Sequence, residues 1–264
     1  MVGERDVRSA AQRWLIGGVL PAMLIAAWQL WSTTLASPRT PRPSRVLGAA
    51  IDMVQSGDLP LALLQSLARV FTGFAIAACI AIPLCLAMGT SRRVERNLDP
   101  LVESFRPIAA IAILPLAILW FGTGTPAALL IVGYAAFFPI VVNTVAGAKR
   151  VNPTLLQAAA TMGLGRLKTL RTVVVPSALP SIGVGLRIAL GVAWTAIVAA
   201  ELAVGAKAGG GGSGGIGQMM FVFYAYSIEL NRIVVCMIAV GLVALLLDRA
   251  LRALLRALMP WSAA

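Results

Sequence analysis

The apolar residues of this chain are gathered into blocks of about twenty residues, separated by polar stretches. A helix of that length crosses the ~30 Å hydrocarbon core of a bilayer. The composition agrees, because 59% of the 264 residues are hydrophobic and 12% are charged, with a mean hydropathy of +0.88. A soluble domain carries roughly 25% charged residues. The chain is therefore predicted to be an integral membrane protein.

Six blocks predict an all-α fold with six transmembrane helices. They lie at about residues 14–36, 67–89, 107–122, 126–147, 181–204 and 232–252. A cleaved signal peptide is the alternative for the first block, but its apolar region would be shorter and a small-residue cleavage site would follow it. We therefore expect the first block to be retained as a membrane anchor.

The basic residues favour one orientation of these helices. Sixteen of the 22 Arg and Lys residues lie inside if the N-terminus is cytoplasmic, which fits the positive-inside rule with both termini in the cytoplasm. The net charge of +12 could indicate nucleic-acid binding. However, the basic residues lie at the ends of the apolar blocks and do not form a stripe with interleaved aromatic residues. We therefore expect no nucleic-acid partner.

The orientation divides the chain into four predicted segments. These are a cytoplasmic N-terminal segment (1–13), a first transmembrane helix with a periplasmic loop (14–66), a five-helix core (67–252) that includes a cytoplasmic loop (148–178), and a cytoplasmic C-terminal tail (253–264).

The residue types that support metal or nucleotide chemistry are missing. The sequence has no histidine, and its three cysteines lie inside apolar blocks without the Cys-x-x-Cys spacing of a zinc site. The glycine-rich run 209–215 (GGGGSGG) lacks the Gly-Lys-Ser/Thr end of a phosphate-binding loop, so a flexible periplasmic hinge is the preferred interpretation. We expect no catalytic residue, metal or cofactor, and no enzyme activity in this chain.

Four residues within the predicted spans are candidates for a transport path or gate. Asn143, Trp194 and Thr195 could line a path, although helix packing is the alternative for each. Glu201 is a carboxylate inside the fifth block, where an acid needs a partner or water. It is interpreted either as a gate near the periplasmic mouth or as part of a structural ion pair, with Arg232 or Lys207 as possible partners.

The cytoplasmic loop carries signals for two short helices. Asn152 can cap a helix that has Pro153 in its first turn and continues over Thr154–Met162, and Gly163 is well placed to end it. A second helix is predicted over 164–175, ended by Pro176. The alternatives are a DNA-binding helix-turn-helix and a passive amphipathic loop at the lipid headgroups.

The spacing in this loop resembles the cytoplasmic signature of ABC importer permeases. That signature is Glu-Ala-Ala, three residues, Gly, nine residues, Ile-x-Leu-Pro; here Gln157 stands in place of the glutamate, and Val173 and Val175 stand in place of Ile and Leu. The resemblance implies that the loop docks on an ATP-binding subunit. The residues it assigns to coupling are Gln157, Ala158, Ala159, Gly163, Arg166 and Pro176.

Further segments resemble the nitrate, taurine and alkanesulfonate permeases of that superfamily, from about residue 38 to Trp261. They include SLARVFTGF (66–74), LPLAILWFGTG (114–124) and VAAEL (198–202). A histidine usual before Ser-Leu in this group is absent, and the glycine-rich loop is longer. The resemblance implies the type I ABC importer fold, a homodimer, two ATP-binding subunits and a periplasmic solute-binding protein.

The resemblance also implies import of a small anion across the bacterial inner membrane. Another small solute, such as a vitamin precursor or an aromatic acid, is the alternative. A secondary transporter or a membrane scaffold without transport are rival classes; a secondary transporter would show an internal repeat with paired broken helices, which the sequence does not show.

Overall fold

The computed structural model describes residues 3–34, 40–207 and 214–259, with side chains from residue 19 to 204 and from 214 onward within those ranges. Every regular element in these ranges is helical. In chain order the helices are α1 (Gly3–Thr34), α2 (Pro43–Gln55), α3 (Asp58–Thr90), α4 (Arg92–Phe105), α5 (Leu114–Phe121), α6 (Thr125–Lys149), α7 (Pro153–Thr161), α8 (Arg166–Thr169), α9 (Val175–Lys207), α10 (Ile216–Val222) and α11 (Leu230–Leu258).

Four helices among the described residues are long and apolar enough to cross a membrane. They are α3, α6, the continuous helix Arg166–Val204 and α11, and they contain four of the predicted blocks. The first predicted block lies on α1 as far as Thr34, and its last two residues lie outside the described residues.

The third predicted block is not a straight helix. It consists of a 3₁₀ turn (Ala110–Ile113) followed by the eight-residue α5, and together with α4 it forms a pair bent by 84°. Pro107 has no amide hydrogen to continue the ladder of α4, which accounts for the break at this point. The bent pair supplies a fifth crossing if it acts as one span.

Two amphipathic helices occur where the sequence reading predicted no helix. In the predicted periplasmic loop, α2 buries Val46 and Met53 against the rest of the chain, and α3 already begins at Asp58. After α3, the polar stretch that begins at Arg92 forms α4, which has no fully buried residue. The last predicted tail is also helical as far as Leu258.

Pro176 does not end a helix, and that prediction is wrong. A π-helical turn (Leu170–Val174) joins α8 to α9, and Pro176 is the second residue of α9. A proline ring clashes with the carbonyl four residues earlier in a regular α-helix. The wider π turn changes the hydrogen-bond pattern directly before the proline, so the helix continues through it.

Small residues let α3, α6 and α9 approach closely at the centre of the fold. A Cβ atom added to Gly73 would lie 2.7 Å from a methyl carbon of Val132, and one added to Gly147 would lie 2.6 Å from the Cβ of Ser181. In a bilayer, close packing of this kind replaces the hydrophobic driving force that water provides.

Gly185 on α9 provides a test of this packing. Its Cβ position lies 2.8 Å from the Cβ of Asn143 and 3.1 Å from the carbonyl oxygen of Pro139, whereas that of Gly191, on the same helix, has no atom within 4 Å. We expect Gly185→Ala to lower the thermal unfolding midpoint in detergent, because overpacking costs about 1–3 kcal/mol. Gly191→Ala is the matched control and should leave the midpoint unchanged or raise it; equal effects would contradict the packing.

Candidate functional site

The turn after α7 forms as the sequence predicts. The Oδ1 atom of Asn152 accepts a hydrogen bond from the backbone N–H of Thr154 at 2.9 Å, which caps the helix. Gly163 has a φ of +69°, and the N–H groups of Gly163 and Leu164 donate to the carbonyls of Ala160 and Ala159. This double pattern is the Schellman motif that commonly ends a helix at a glycine.

The loop is anchored at its base and exposed at its tip. Ala148, Val151 and Val174 form a small buried cluster that fixes both ends of the loop to the membrane helices. The exposed tip carries several large apolar side chains together with basic ones. The exposed apolar residues are Leu155, Leu156, Met162 and Leu167.

The six predicted coupling residues do not all face the same way. Gln157, Ala158, Gly163, Arg166 and Pro176 are exposed, whereas Ala159 is buried. Ala159 therefore belongs to the packing of the loop against its own chain. The other positions are accessible to a second protein.

Asn143 lies on an open cavity of about 440 Å³ between α6, α9 and the break after α4. The cavity is also lined by Arg106, Tyr134, Ile188 and Val192, so both polar and apolar side chains border it. The Asn143 side chain donates through its Nδ2 to the carbonyl of Pro139 at 2.8 Å.

Trp194 and Thr195 differ in their surroundings. Trp194 is almost fully buried, and its indole N–H donates to the carbonyl of Val240 at 3.1 Å, which joins α9 to α11. Thr195, the next residue along α9, is exposed, and its hydroxyl donates to the carbonyl of Val192 at 2.9 Å. The surroundings of Trp194 are those of a helix-packing residue.

Glu201 is held in a buried polar cluster. Its carboxylate accepts hydrogen bonds from the Ser66 hydroxyl at 2.7 and 2.9 Å, and the Nη1 atom of Arg69 lies 2.6 Å from its Oε1. The backbone N–H of Gly217 donates to its Oε2 at 3.1 Å. Glu201 and Arg69 are 4% and 7% exposed, so neither contacts a solute in this conformation.

Of the two partners predicted for Glu201, Arg232 is wrong and Lys207 is not tested. Arg232 pairs with the exposed Glu229 at 2.7 Å, and the side chain of Lys207 lies outside the described residues. The sequence analysis gave no role to Arg69, although the second predicted block begins only two residues before it. Ser66 and Arg69 are three residues apart and therefore lie on one face of the helix. This polar spacing inside an apolar block is the signal that could have identified Arg69 as the partner of Glu201.

The polar cluster also fixes the end of the glycine-rich segment. Arg69 donates to the carbonyl of Gly214 at 2.7 Å, and Ser66 accepts from the N–H of Ile216 at 2.9 Å. Gly217 must lack a side chain, since an added Cβ would lie 2.4 Å from the carbonyl oxygen of Val198. The predicted hinge 209–215 therefore ends in a fixed anchor at Gly214, and residues 209–213 lie outside the described residues.

Metal binding finds no support in the described part of the chain. No group of three or more cysteine, aspartate or glutamate side chains there could hold a metal ion.

The arrangement of helices defines a class of membrane protein. It is similar to a chain of the inward-facing MetNI methionine ABC transporter, with a TM-score of 0.61 over 75% of this chain and 95% of that chain, at 20% sequence identity. The chain is an all-helical membrane protein with the permease fold of the type I ABC importers.

The sequence comparison identifies the family. Residues 73–261 match the family described as binding-protein-dependent transport system inner membrane component, and this chain belongs to it. Similar proteins include a taurine transport system permease of Escherichia coli, 36% identical over 92% of this chain and 88% of that protein. A bicarbonate permease of Synechococcus elongatus is 34% identical over 89% and 84%, and a nitrate import permease of Synechocystis is 32% identical over 86% and 83%.

The buried ion pair can be tested by a double-mutant cycle. We expect Arg69→Met and Glu201→Gln each to lower the stability of the protein in detergent, because breaking a buried pair typically costs about 3–5 kcal/mol. The double variant should lose less than the sum of the two single variants, since neither charge then stays buried alone.

Arg232→Gln is the control for that cycle. It removes the exposed pair with Glu229 and should change stability by at most about 1 kcal/mol. Strict additivity of Arg69→Met and Glu201→Gln, measured by thermal unfolding, would contradict a coupled pair.

Proposed function

We propose that this chain is the membrane-spanning permease subunit of an ATP-driven importer. It works as a homodimer with two ATP-binding subunits on the cytoplasmic side and a periplasmic solute-binding protein, and both of its termini are cytoplasmic. ATP hydrolysis takes place on the separate subunits, and this chain converts it into movement of the helices.

The observation that carries the proposal is the exposed tip of the loop between α6 and α9. Leu155, Leu156 and Met162 expose large apolar side chains there. This segment lies between the end of α6 and the short basic helix α8. Contiguous apolar side chains on an aqueous surface are characteristic of a protein–protein contact.

The geometry of the turn explains why its glycine matters. Gly163 adopts a left-handed conformation that favours glycine, and no atom lies within 4 Å of a Cβ placed there. A side chain at this position therefore projects into the space that the ATP-binding subunit occupies in our proposal. Its effect on coupling comes from the partner and not from packing within this chain.

Gly163→Asp is expected to uncouple the importer. The left-handed backbone puts some strain on any side chain here, but aspartate tolerates this conformation better than most residues and the new side chain meets no atom within 4 Å, so the variant should still reach the membrane. Solute uptake should fall by about 10-fold or more, because a charge is placed at the docking surface. Uptake is measured in cells and binding of the ATP-binding subunit by copurification.

Gly163→Asn is the matched control, because asparagine has the same shape as aspartate and tolerates the left-handed conformation. It should retain most of the uptake. Normal uptake by Gly163→Asp at normal expression would contradict the coupling role of this loop.

The candidate path residues fit this function in different ways. We propose that Asn143 lines the solute path, because it borders the open cavity between α6 and α9. Thr195, exposed on α9, is a second candidate for that path. Trp194 packs α9 against α11, and Glu201 with Arg69 holds the periplasmic end of α3 to α9.

The solute is proposed to be a small anion of the taurine, alkanesulfonate or nitrate type. The similar permeases named for taurine, bicarbonate and nitrate support it, since the three solutes share a compact oxyanion group. Uptake of another small solute of the family remains the alternative outcome of the test.

Growth on single nutrients tests the solute class. A strain lacking the gene should fail to grow on taurine or an alkanesulfonate as the sole sulfur source, or on nitrate as the sole nitrogen source, and should grow normally on sulfate with ammonium. The restored gene should reverse the defect, and the Gly163→Asp form should not. Growth of the deleted strain on all of these nutrients would contradict the proposed anion class while leaving the permease function open to other solutes.

A further inference from the structure

One face of α11 changes abruptly from apolar to basic along its length. Ile238, Leu242 and Leu245 are followed by Arg249, Arg252 and Arg256, at alternating spacings of four and three residues. Residues at these spacings lie on one side of a helix. The three apolar side chains are 48%, 56% and 55% exposed, so this face is not covered by the described part of the chain.

The basic half of this face borders a cavity of about 470 Å³. Leu245 lies at one end of the cavity, and Arg249, Arg252 and Arg256 line the remainder together with Asp248 and Ala253. The cavity therefore joins the apolar stripe to the arginines without a break.

The arginines of this cavity are only partly neutralised. The Asp248 carboxylate contacts Arg252 and also Arg187 on α9, whose Nε lies 2.5 Å from its Oδ1. Arg249 and Arg256 have no ion-pair partner among the described residues, and the buried Nε of Arg252 has no hydrogen-bond partner there. The site therefore combines excess positive charge with unused N–H donors.

We propose that this face binds an anionic phospholipid. Its phosphate lies among Arg249, Arg252 and Arg256, and an acyl chain runs along Leu245, Leu242 and Ile238. Guanidinium groups bind phosphate oxygens through several N–H donors at once, and basic pockets beside transmembrane helices suit anionic headgroups.

A phospholipid fits better than a soluble anion, because the apolar stripe continues directly from the arginines. From Leu245 to Ile238 the helix rises about 10 Å at 1.5 Å per residue, which is the length of several methylene groups. A free phosphate would leave this stripe unused. The proposal does not rest on the transport function, since it concerns a lipid-facing surface outside the docking loop and the solute path.

Arg249→Gln with Arg256→Gln is the variant that tests the site. Neither side chain has an ion-pair partner among the described residues, so the substitution should not disturb folding. Arg92→Gln with Arg93→Gln in α4 is the control, because it removes the same charge from two exposed arginines.

The purified proteins are compared in micelles that contain phosphatidylglycerol or phosphatidylcholine, and retained lipid is measured by native mass spectrometry. The wild type and the α4 control should retain phosphatidylglycerol in preference to phosphatidylcholine. The Arg249/Arg256 variant should bind phosphatidylglycerol about 10-fold more weakly, with unchanged phosphatidylcholine binding. Added inorganic phosphate at moderate concentration should not displace the lipid.

Four results would overturn the proposal. Equal retention of the two lipids by the wild type would show that this face has no preference for an anionic lipid. Equal losses of phosphatidylglycerol binding in the Arg249/Arg256 variant and the α4 control would show that these arginines do not form a specific site. Complete displacement by inorganic phosphate would identify a soluble anion as the ligand. A change of oligomeric state in the Arg249/Arg256 variant without a change in lipid preference would make this face an interface between copies of the chain.

Discussion

The ion pair between Arg69 and Glu201 connects three segments that are far apart in the sequence. It joins α3 to α9, and through Gly214 and Gly217 it fixes the chain that enters α10. In hydrocarbon, helices gain little from hydrophobic association, so close contacts between small residues and buried polar bonds must hold them together. An uncompensated charge at this depth would be costly, which explains why every oxygen of the carboxylate has a donor.

The same helix carries both Glu201 of the polar cluster and the base of the loop between α6 and α9. The helix Arg166–Val204 is continuous, so about 50 Å of helix separates Arg166 from Glu201. If an ATP-binding subunit moves the loop as we propose, α9 transmits that movement as a stiff element to the opposite end of the fold. The π turn beside Pro176 is the point along it where the regular hydrogen-bond ladder changes.

The sequence predicted the elements that depend on local signals. The apolar blocks located the long helices, and Asn152 and Gly163 located the ends of α7, because capping and a left-handed turn are decided within a few residues. Prediction from the sequence failed where the structure depends on contacts between residues that are far apart in the chain. The partner of Glu201 lies more than a hundred residues away in the sequence, and the helix α2 is stabilised by packing on other helices. The prediction that Pro176 ends a helix was wrong because no pattern of residue types marks a π turn before a proline.

Because Gln157 is exposed, we expect the amide at this position to affect a binding partner and not the fold of this chain. Gln157 is exposed on α7, so an amide in place of the carboxylate of the family signature alters the surface that the loop offers to a partner. The loop also carries Arg166, Lys168 and Arg171, all exposed, and without the carboxylate its surface is more positive. A partner groove that pairs with a glutamate would place a cation there, whereas this surface favours a neutral or acidic one. If the loop docks on an ATP-binding subunit as we propose, this difference acts on the choice of that subunit, because charge at a contact influences which partner binds.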